Sequence, residues 1–521
     1  MNRWNLGSER AVEVDSEKVL FLKNSWVLRT ILVLGILVLG FAIRLVDLSD
    51  PPLDFAATRQ LRSLIIARGY YYATDVHSVR ALPSEQVDFG IQAGTSQLVI
   101  EPTILEHLAA YTYVILGFED FRIPRLYSIF FWVIGGIPLY LLSRKLIKEN
   151  GAIAALAFYE FVPFGIISSR AFLPDPLMVC LILWALYFQY RWSENVTLAN
   201  TLLACFFTGL AIFVKTTAVF FVGVPFAALV IYGGLRKALR NSRVCWMAAL
   251  SLLPGVIFIA WSAIDGGNAG VLFGSRFFPS LYIQPHWYQA WFMTAKSVVG
   301  YFPLFLSVLA VFLFSEKKKQ VWYASLLSAY LLLGFVFAYH IYTHDYYSMP
   351  LIPIAAIGFG LIFSILIERI ESLQPVGLVK IVLLGIFAFA SALSMLKART
   401  ELLSADYRYE EVYWKNLGDK IGHSSKVVAL THDYGYRLSY WGFIRPRLWD
   451  TWGDINVDAL SGIQQEPFLQ AFTEKTEGYN YFLVTLLNDF NSQTELHDYL
   501  YAHYPYEEGE GYILFDLQHP S

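Results

Sequence analysis

Charge is what this sequence has least of. Only 16% of its 521 residues are Asp, Glu, Lys or Arg, against 56% hydrophobic and 17% aromatic, where a soluble globular chain carries about 25% charged residues. With a mean hydropathy of +0.47, that balance excludes an ordinary soluble domain and predicts a polytopic membrane protein. An excess of positive charge is also missing. The formal net charge is -3 and no compact nucleic-acid-binding motif occurs, which excludes nucleic acid as a partner. Cysteine is scarce too: Cys180, Cys205 and Cys245 all fall inside apolar runs, where a thiol is expected to pack as a small buried hydrophobe rather than join a disulfide framework. No internal repeat or low-complexity tract stands out.

What the chain has instead is long apolar runs. A bilayer core of about 30 Å takes about 20 apolar residues per helix, and about eleven such runs are separated by charge or turn residues. They lie near 26–46, 121–143, 151–168, 174–191, 199–214, 216–233, 244–264, 294–314, 321–339, 346–367 and 377–396. The first ends in Arg44 and Asp47 without a small-residue cleavage site, so it is expected to be a retained anchor. The loops "SRKLIKEN" from 143, "GGLRKALRNSR" from 233 and "SEKKKQ" from 315 are basic, whereas "HIYTHDYY" from 340 has no Lys or Arg. The positive-inside rule then makes residues 1–25 a cytoplasmic segment of a protein in the cytoplasmic (inner) membrane. It places Asp54, the 169–175 turn, the 265–293 loop and everything after 397 outside. The sequon "NVT" at Asn195 falls on the cytoplasmic side and is read as chance.

Residues 26–397 are thus expected to form one transmembrane domain, with 47–120 as a long external loop, and loops of that length tend to be functional. Two helices are predicted in it. In "FAATRQLRSLIIARGYYY" (55–72), Ala57, Leu61, Leu64 and Ile65 recur opposite Arg59, Arg62 and Arg68, as in a helix lying in the membrane interface. The second, "EPTILEHLAAYTYVILG" from Glu101, is too short and polar to span. Residues 400–521 are polar, with strand-like runs "KVVAL" (426), "YFLVTL" (481) and "GYILFDL" (511) and helices near 406–421, 456–474 and 491–503, which predicts a small external α/β domain. Within "THDYGYRLSYWGFIRPR" (431–447), Tyr436, Tyr440 and Trp441 are expected to form core, stacking on sugars being their other use.

Ionisable groups at membrane depth are costly and usually functional. Arg44 ends the first helix, Arg170 and Asp175 flank the turn in "SRAFLPDPL", Lys215 interrupts "TGLAIFVKTTAVFFVGVP", and His340, His344, Asp345 and Tyr346 lie in "YHIYTHDYYSMPLIP". With Asp54 and Glu101 they are placed to line one external cavity. Each has a blander reading as well. Arg44 snorkels to headgroups, Asp175 caps a helix, Asp54 caps "FAATRQL", the tyrosines form an interface belt, and the His344–Asp345 pair starts a helix rather than holding a metal. Lys215 is harder to explain that way: no polar loop surrounds it, and a compact ammonium suits a phosphate.

The order of these elements resembles the GT-C superfamily of membrane glycosyltransferases, in particular the bacterial and archaeal relatives of protein mannosyltransferases and of the aminoarabinose transferase that modifies lipid A. The resemblance covers roughly residues 30–370. It rests on an acid after the first helix (Asp54), the interfacial helix after Pro102, "RIPRLYSIFFWVIGGIPLYLLSRKL", "LPDPLMVCLILWALYF", the lysine-bearing segment around Lys215 and "HDYYSMPLIPIAAIGFG". It implies an α-helical polytopic GT-C fold and a sugar carried on a polyprenyl phosphate in the membrane lipid, transferred with inversion to a lipid, glycan or protein acceptor outside. Asp54 would be the general base, with Glu101 or Asp175 in a second acidic role. Lys215 and Arg44 would clamp the donor phosphate, with Arg170 and Arg59 in reserve, and His344, Asp345 and Tyr346 would line the cavity. Two departures stand out: Phe55 follows Asp54 where many relatives carry a second acid, and Glu101 precedes Pro102 where relatives often have a basic or amide residue. Some members use a divalent metal ion and others do not; no ligand spacing decides this here, so no cofactor is assigned. The competing readings are a transporter or flippase of lipid-linked sugars, although such proteins commonly show repeated halves, a polysaccharide polymerase or ligase, whose long loop usually comes late in the chain, and a non-catalytic scaffold in which Asp54 is only a cap.

Overall fold

Every one of the predicted apolar runs becomes helix in the computed structural model, which describes residues 26–264, 277–371 and 376–520. The predicted cytoplasmic segment 1–25 and residues 265–276 of the predicted 265–293 loop lie outside the described residues. The chain is a multi-span helical membrane protein. Among the described residues, five helices are long and apolar enough by themselves to cross a membrane, six if one bent pair counts as a single span, against the roughly eleven runs expected. Two runs are broken for identifiable reasons. The 151–168 run divides into Glu149–Phe161 and Pro163–Ser168, because Pro163 has no N–H for the ladder. The expected 294–314 span bends by 97° between Pro285–Val299 and Tyr301–Leu313; the bend falls at Gly300, whose φ of +85° is a conformation side chains resist.

The helix Asp175–Glu194 is apolar on all sides and buried on most of them, as expected for the centre of a bundle. It packs between Arg122–Leu146 and Leu198–Val214, while Leu351–Glu371 lies against Glu149–Phe161. Gly151 and Gly360 let that last pair approach backbone to backbone: a Cβ on Gly151 would stand 2.4 Å from the Gly360 carbonyl, the small-residue contact typical of membrane bundles. Cys180 and Cys205 are buried as expected, whereas Cys245 lies on the exposed face of Ser242–Ile264. The Asn195 segment is a helix cap, with the Thr197 hydroxyl accepting the Asn200 N–H.

The first long loop holds three substantial helices rather than two: Ala57–Tyr72, Ser84–Thr95 and Ile104–Leu116. The second, "SEQVDFGIQAGT", is too polar to announce itself. Nor does Ala57–Tyr72 lie on a surface. Arg62 and Arg68 are buried along with Leu61, Leu64 and Ile65, because the helix packs against Ser84–Thr95 and Ile104–Leu116 and, at Arg68, against the C-terminal domain. The Arg68 guanidinium stacks 4.0 Å from the Tyr440 ring centroid and pairs with Glu119 at 2.9 Å.

That C-terminal domain carries a five-stranded sheet: β1 (Val427–Leu430), β2 (Arg447–Leu448), β3 (Tyr481–Val484), β4 (Tyr506–Gly509) and β5 (Tyr512–Asp516), in the order β2-β1-β3-β5-β4. β1 is parallel to β2 and β3, and β5 is antiparallel to β3 and β4. Alternate residues serve two cores. Val427, Ala429, Leu483 and Leu514 face the core shared with the first loop, whereas Val428, Leu430, Phe482, Val484 and Phe515 face one with Phe472, Phe490 and Leu500. Tyr440 and Trp441 are buried, as expected of core aromatics. The expected 456–474 helix is two, Trp452–Ser461 and Phe468–Thr476, separated at Gly462 in the left-handed region.

Candidate functional site

Lys215 sits where Leu198–Val214 ends and before Ala218–Tyr232 begins, its own backbone extended. The β-branched pair Thr216–Thr217 follows and delays the next helix. The side chain is buried, with its Nζ 2.9 Å from both carboxylate oxygens of Asp175. Asp175 occupies the first turn of its helix between Pro174 and Pro176, where proline is favoured, and makes no capping hydrogen bond. Its carboxylate serves Lys215 instead. The rings of Tyr346 and Tyr347 stand 5.0 and 4.8 Å from the ammonium, a cation–π cup.

A second ion pair lies beside the first. Arg59 Nη2 is 2.7 Å from Glu101 Oε2, and both line a narrow crevice with Arg62, Leu177 and Val214. Burial pushes the Glu101 carboxyl up, but Arg59, Lys215 and Arg62 outweigh it and hold the group down at about 2. Glu101 is therefore a weak proton acceptor and a firm partner for Arg59. Deeper in, burial raises Glu106 against the hydrogen bond from Ser63.

Asp54 stands at the start of the same helix but is not its cap. That position falls to Ala56, held at φ +46° with no side-chain capping bond. The Asp54 carboxylate, 19% exposed, meets Arg125 at 3.1 Å and Arg170 at 3.8 Å. These arginines also fix the loop before it: Arg125 donates to the Asp50 carbonyl at 2.8 Å, and Arg170 to those of Val46 at 2.6 Å and Asp47 at 3.0 Å. Gln60, wholly buried, completes the loop. Its Nε2 donates to the Phe55 carbonyl at 2.6 Å and that of Pro52 at 3.2 Å, while its Oε1 accepts the Phe172 N–H at 2.8 Å. One amide thus ties the Asp54 loop to the turn that leads into Asp175.

The structure therefore brings together Lys215, Asp175, Arg59, Glu101 and Tyr346, with Asp54 joined to them through Gln60. Two expected phosphate clamps are placed elsewhere. Arg44 is fully buried against Glu160 at 3.2 Å, with Ser169 Oγ at 2.7 Å and the Gly40 carbonyl at 2.6 Å, so it neither snorkels nor faces the crevice; Arg170 is bound to the Asp54 loop. Gly40 makes room for that pair, since a Cβ there would meet Glu160 Oε2 at 2.6 Å. His344 stacks on His340 with centroids 5.0 Å apart, and Asp345 opens a short 3-10 turn. Among the described residues no three His, Cys, Asp or Glu side chains gather as a metal site. Arg125, Glu160 and Gln60 were not anticipated. The first two are charges inside predicted spans, the same signal that marked Lys215; Gln60 carries no such signal.

Residues 101–261 match the family model described as Dolichyl-phosphate-mannose-protein mannosyltransferase, and no curated protein sequence matches the chain. The chain is similar in structure to ArnT from Cupriavidus metallidurans in the apo state, with a TM-score of 0.59 and 11% identity, covering 93% of this chain and 97% of that one. The same protein bound to undecaprenyl phosphate matches with a TM-score of 0.56 and 10% identity over 94% and 98%. The archaeal oligosaccharyltransferase AglB from Archaeoglobus fulgidus, in complex with an inhibitory peptide and a dolichol-phosphate, matches with 0.53 and 11% over 94% and 74%. These likenesses bear out the resemblance to the GT-C, mannosyltransferase-like and ArnT-like proteins: the chain has their fold.

Proposed function

We propose that this protein moves a sugar from a polyprenyl-phosphate donor to an acceptor on the external face of the cytoplasmic membrane, with inversion. The observation that carries the reading is the buried cluster of two cations, each held by a carboxylate: Arg59 with Glu101 on the crevice wall, and Lys215 with Asp175 directly behind Val214 of that wall. Fold likeness to proteins bound to undecaprenyl phosphate and dolichol-phosphate supports the donor class.

In this mechanism the phosphate leaves as an anion, and cations fixed in a dry site stabilise the charge it gains. Lys215 and Arg59 take that role in place of Arg44 and Arg170. Asp175 and Glu101 hold the two cations in position and neutralise them until the donor arrives. Asp54 accepts the proton of the acceptor hydroxyl as it attacks the anomeric carbon. Arg125, 3.1 Å away, holds that carboxylate in place. The C-terminal domain lies outside the membrane, packed on the first loop.

The test is release of polyprenyl phosphate from a panel of radiolabelled polyprenyl-phosphate sugars by protein in nanodiscs, with membrane extract as acceptor. Turnover by the wild type and at least a hundredfold loss in a folded Asp54→Asn, about the scale of general-base contributions, is expected. No turnover with any donor sinks the transferase reading; undiminished turnover by Asp54→Asn sinks the base assignment.

A further inference from the structure

Between the membrane helices and the C-terminal domain lies a cleft of about 500 Å³, within the range of small-molecule sites, about 300–1,000 Å³. One wall is Leu281, Gln284, His286 and residues of the Tyr339–Thr343 segment; the other is Asn456, Ala459 and Leu460 on the Trp452–Ser461 helix. No Lys, Arg, Asp or Glu lines it among the described residues. Among the described residues, the side chains of Gln284, His286, Tyr339, Tyr342 and Asn456 make no hydrogen bond to protein, so five polar ends border one space with no protein partner. Tyr339 and Tyr342 meet edge to face, centroids 5.8 Å apart.

That chemistry is selective. A phosphate or carboxylate calls for cations, and a lipid tail calls for a continuous apolar wall, whereas Leu281, Ala459 and Leu460 are interspersed here with polar ends. Amides, an imidazole and phenols beside aromatic faces match hydroxyl groups and the C–H faces of a sugar. Both walls also lead to the cation cluster. The segment that supplies Tyr339 and Tyr342 continues to Tyr346 and Tyr347, which cup Lys215. On the other side, Asp454 of the Asn456 helix accepts the Tyr434 hydroxyl at 3.2 Å, and neighbouring Asp433 accepts from Thr58 at 2.9 Å, one residue before Arg59.

We infer that this cleft binds an uncharged carbohydrate, the acceptor of the transfer; the acceptor role rests on the function proposed above, the binding does not. The test is saturation-transfer NMR on the full chain in nanodiscs, with mannotriose, galactotriose and chitotriose as neutral probes and a uronic-acid trisaccharide and an uncharged tripeptide as contrasts. At least one neutral probe is expected to bind, and Gln284→Ala with Asn456→Ala to weaken it about fivefold or more, the scale of two lost hydrogen bonds. Binding of polyprenyl phosphate to the double variant is expected to stay unchanged. The inference is overturned if no neutral probe binds, if the double variant binds as the wild type does, or if only a contrast probe engages. Sugar binding without donor turnover would sink the transferase reading alone, and turnover without sugar binding the cleft alone.

Discussion

The Lys215 ammonium stands 2.9 Å from both carboxylate oxygens of Asp175, and both side chains are nearly inaccessible. Removing one member leaves a buried charge without its partner, which costs roughly 3–5 kcal/mol. Lys215→Met is therefore expected to unfold at markedly lower temperature than the wild type. Lys215→Met with Asp175→Leu is expected to regain most of that stability and remain inactive. Thermal unfolding alongside donor turnover separates the two effects, and an active double variant would remove Lys215 from the mechanism.

Arg44 and Glu160 test the opposite assignment. Both are fully buried and 3.2 Å apart, so Arg44→Met is expected to lower stability by a similar roughly 3–5 kcal/mol. Its folded fraction is expected to bind polyprenyl phosphate as tightly as the wild type does. A tenfold loss of that affinity without a loss of stability would restore Arg44 as a phosphate clamp.

The Arg59–Glu101 pair sets a pH dependence. The Glu101 carboxyl is held at about 2, below its ordinary 4.5. A depressed carboxyl contributes stability that is complete above the unfolded value and is lost as pH falls through the folded one. The difference in melting temperature between wild type and Glu101→Gln is thus expected to stay constant from neutral pH to about 4.5 and to shrink from there toward 2. A difference that already closes between pH 7 and 5 would contradict the pairing.

What was legible from sequence divides along physical lines. Lys215 was readable because a lysine inside an apolar run has few bland explanations. The position of Asp54 was readable from the end of the first apolar run, and β1, β3 and β5 from short apolar runs that turn out to be buried almost throughout. Arg44 was misplaced because a helix-terminal arginine looks the same whether it reaches headgroups or turns inward. Its partner Glu160 lies more than a hundred residues on, and only tertiary packing joins them. The Gly300 bend and the Ser84–Thr95 helix escaped for a related reason: one depends on a single backbone angle, the other on neighbours that bury a polar sequence.

Gln60 was the least legible of all, since a neutral amide on a helix resembles any surface residue, yet it is wholly buried and bonded at both ends. Its Nε2 holds the Pro52 and Phe55 carbonyls that flank Asp54, and the chain between Asp54 and the helix passes through the left-handed Ala56, a conformation that persists only where its surroundings enforce it. Gln60→Glu keeps the shape but cannot donate, so the Asp54 loop loses its anchor. Misplacing a reacting group by about 1 Å costs on the order of a hundredfold in rate. The expected outcome is a fall in kcat of that order with KM for the donor within about twofold, and a displaced acid limb of the pH–rate profile, because the new carboxylate lies close to Asp54. A merely structural role predicts a smaller folded fraction with unchanged kcat, KM and pH profile per folded molecule, and that result would remove Gln60 as the residue positioning Asp54.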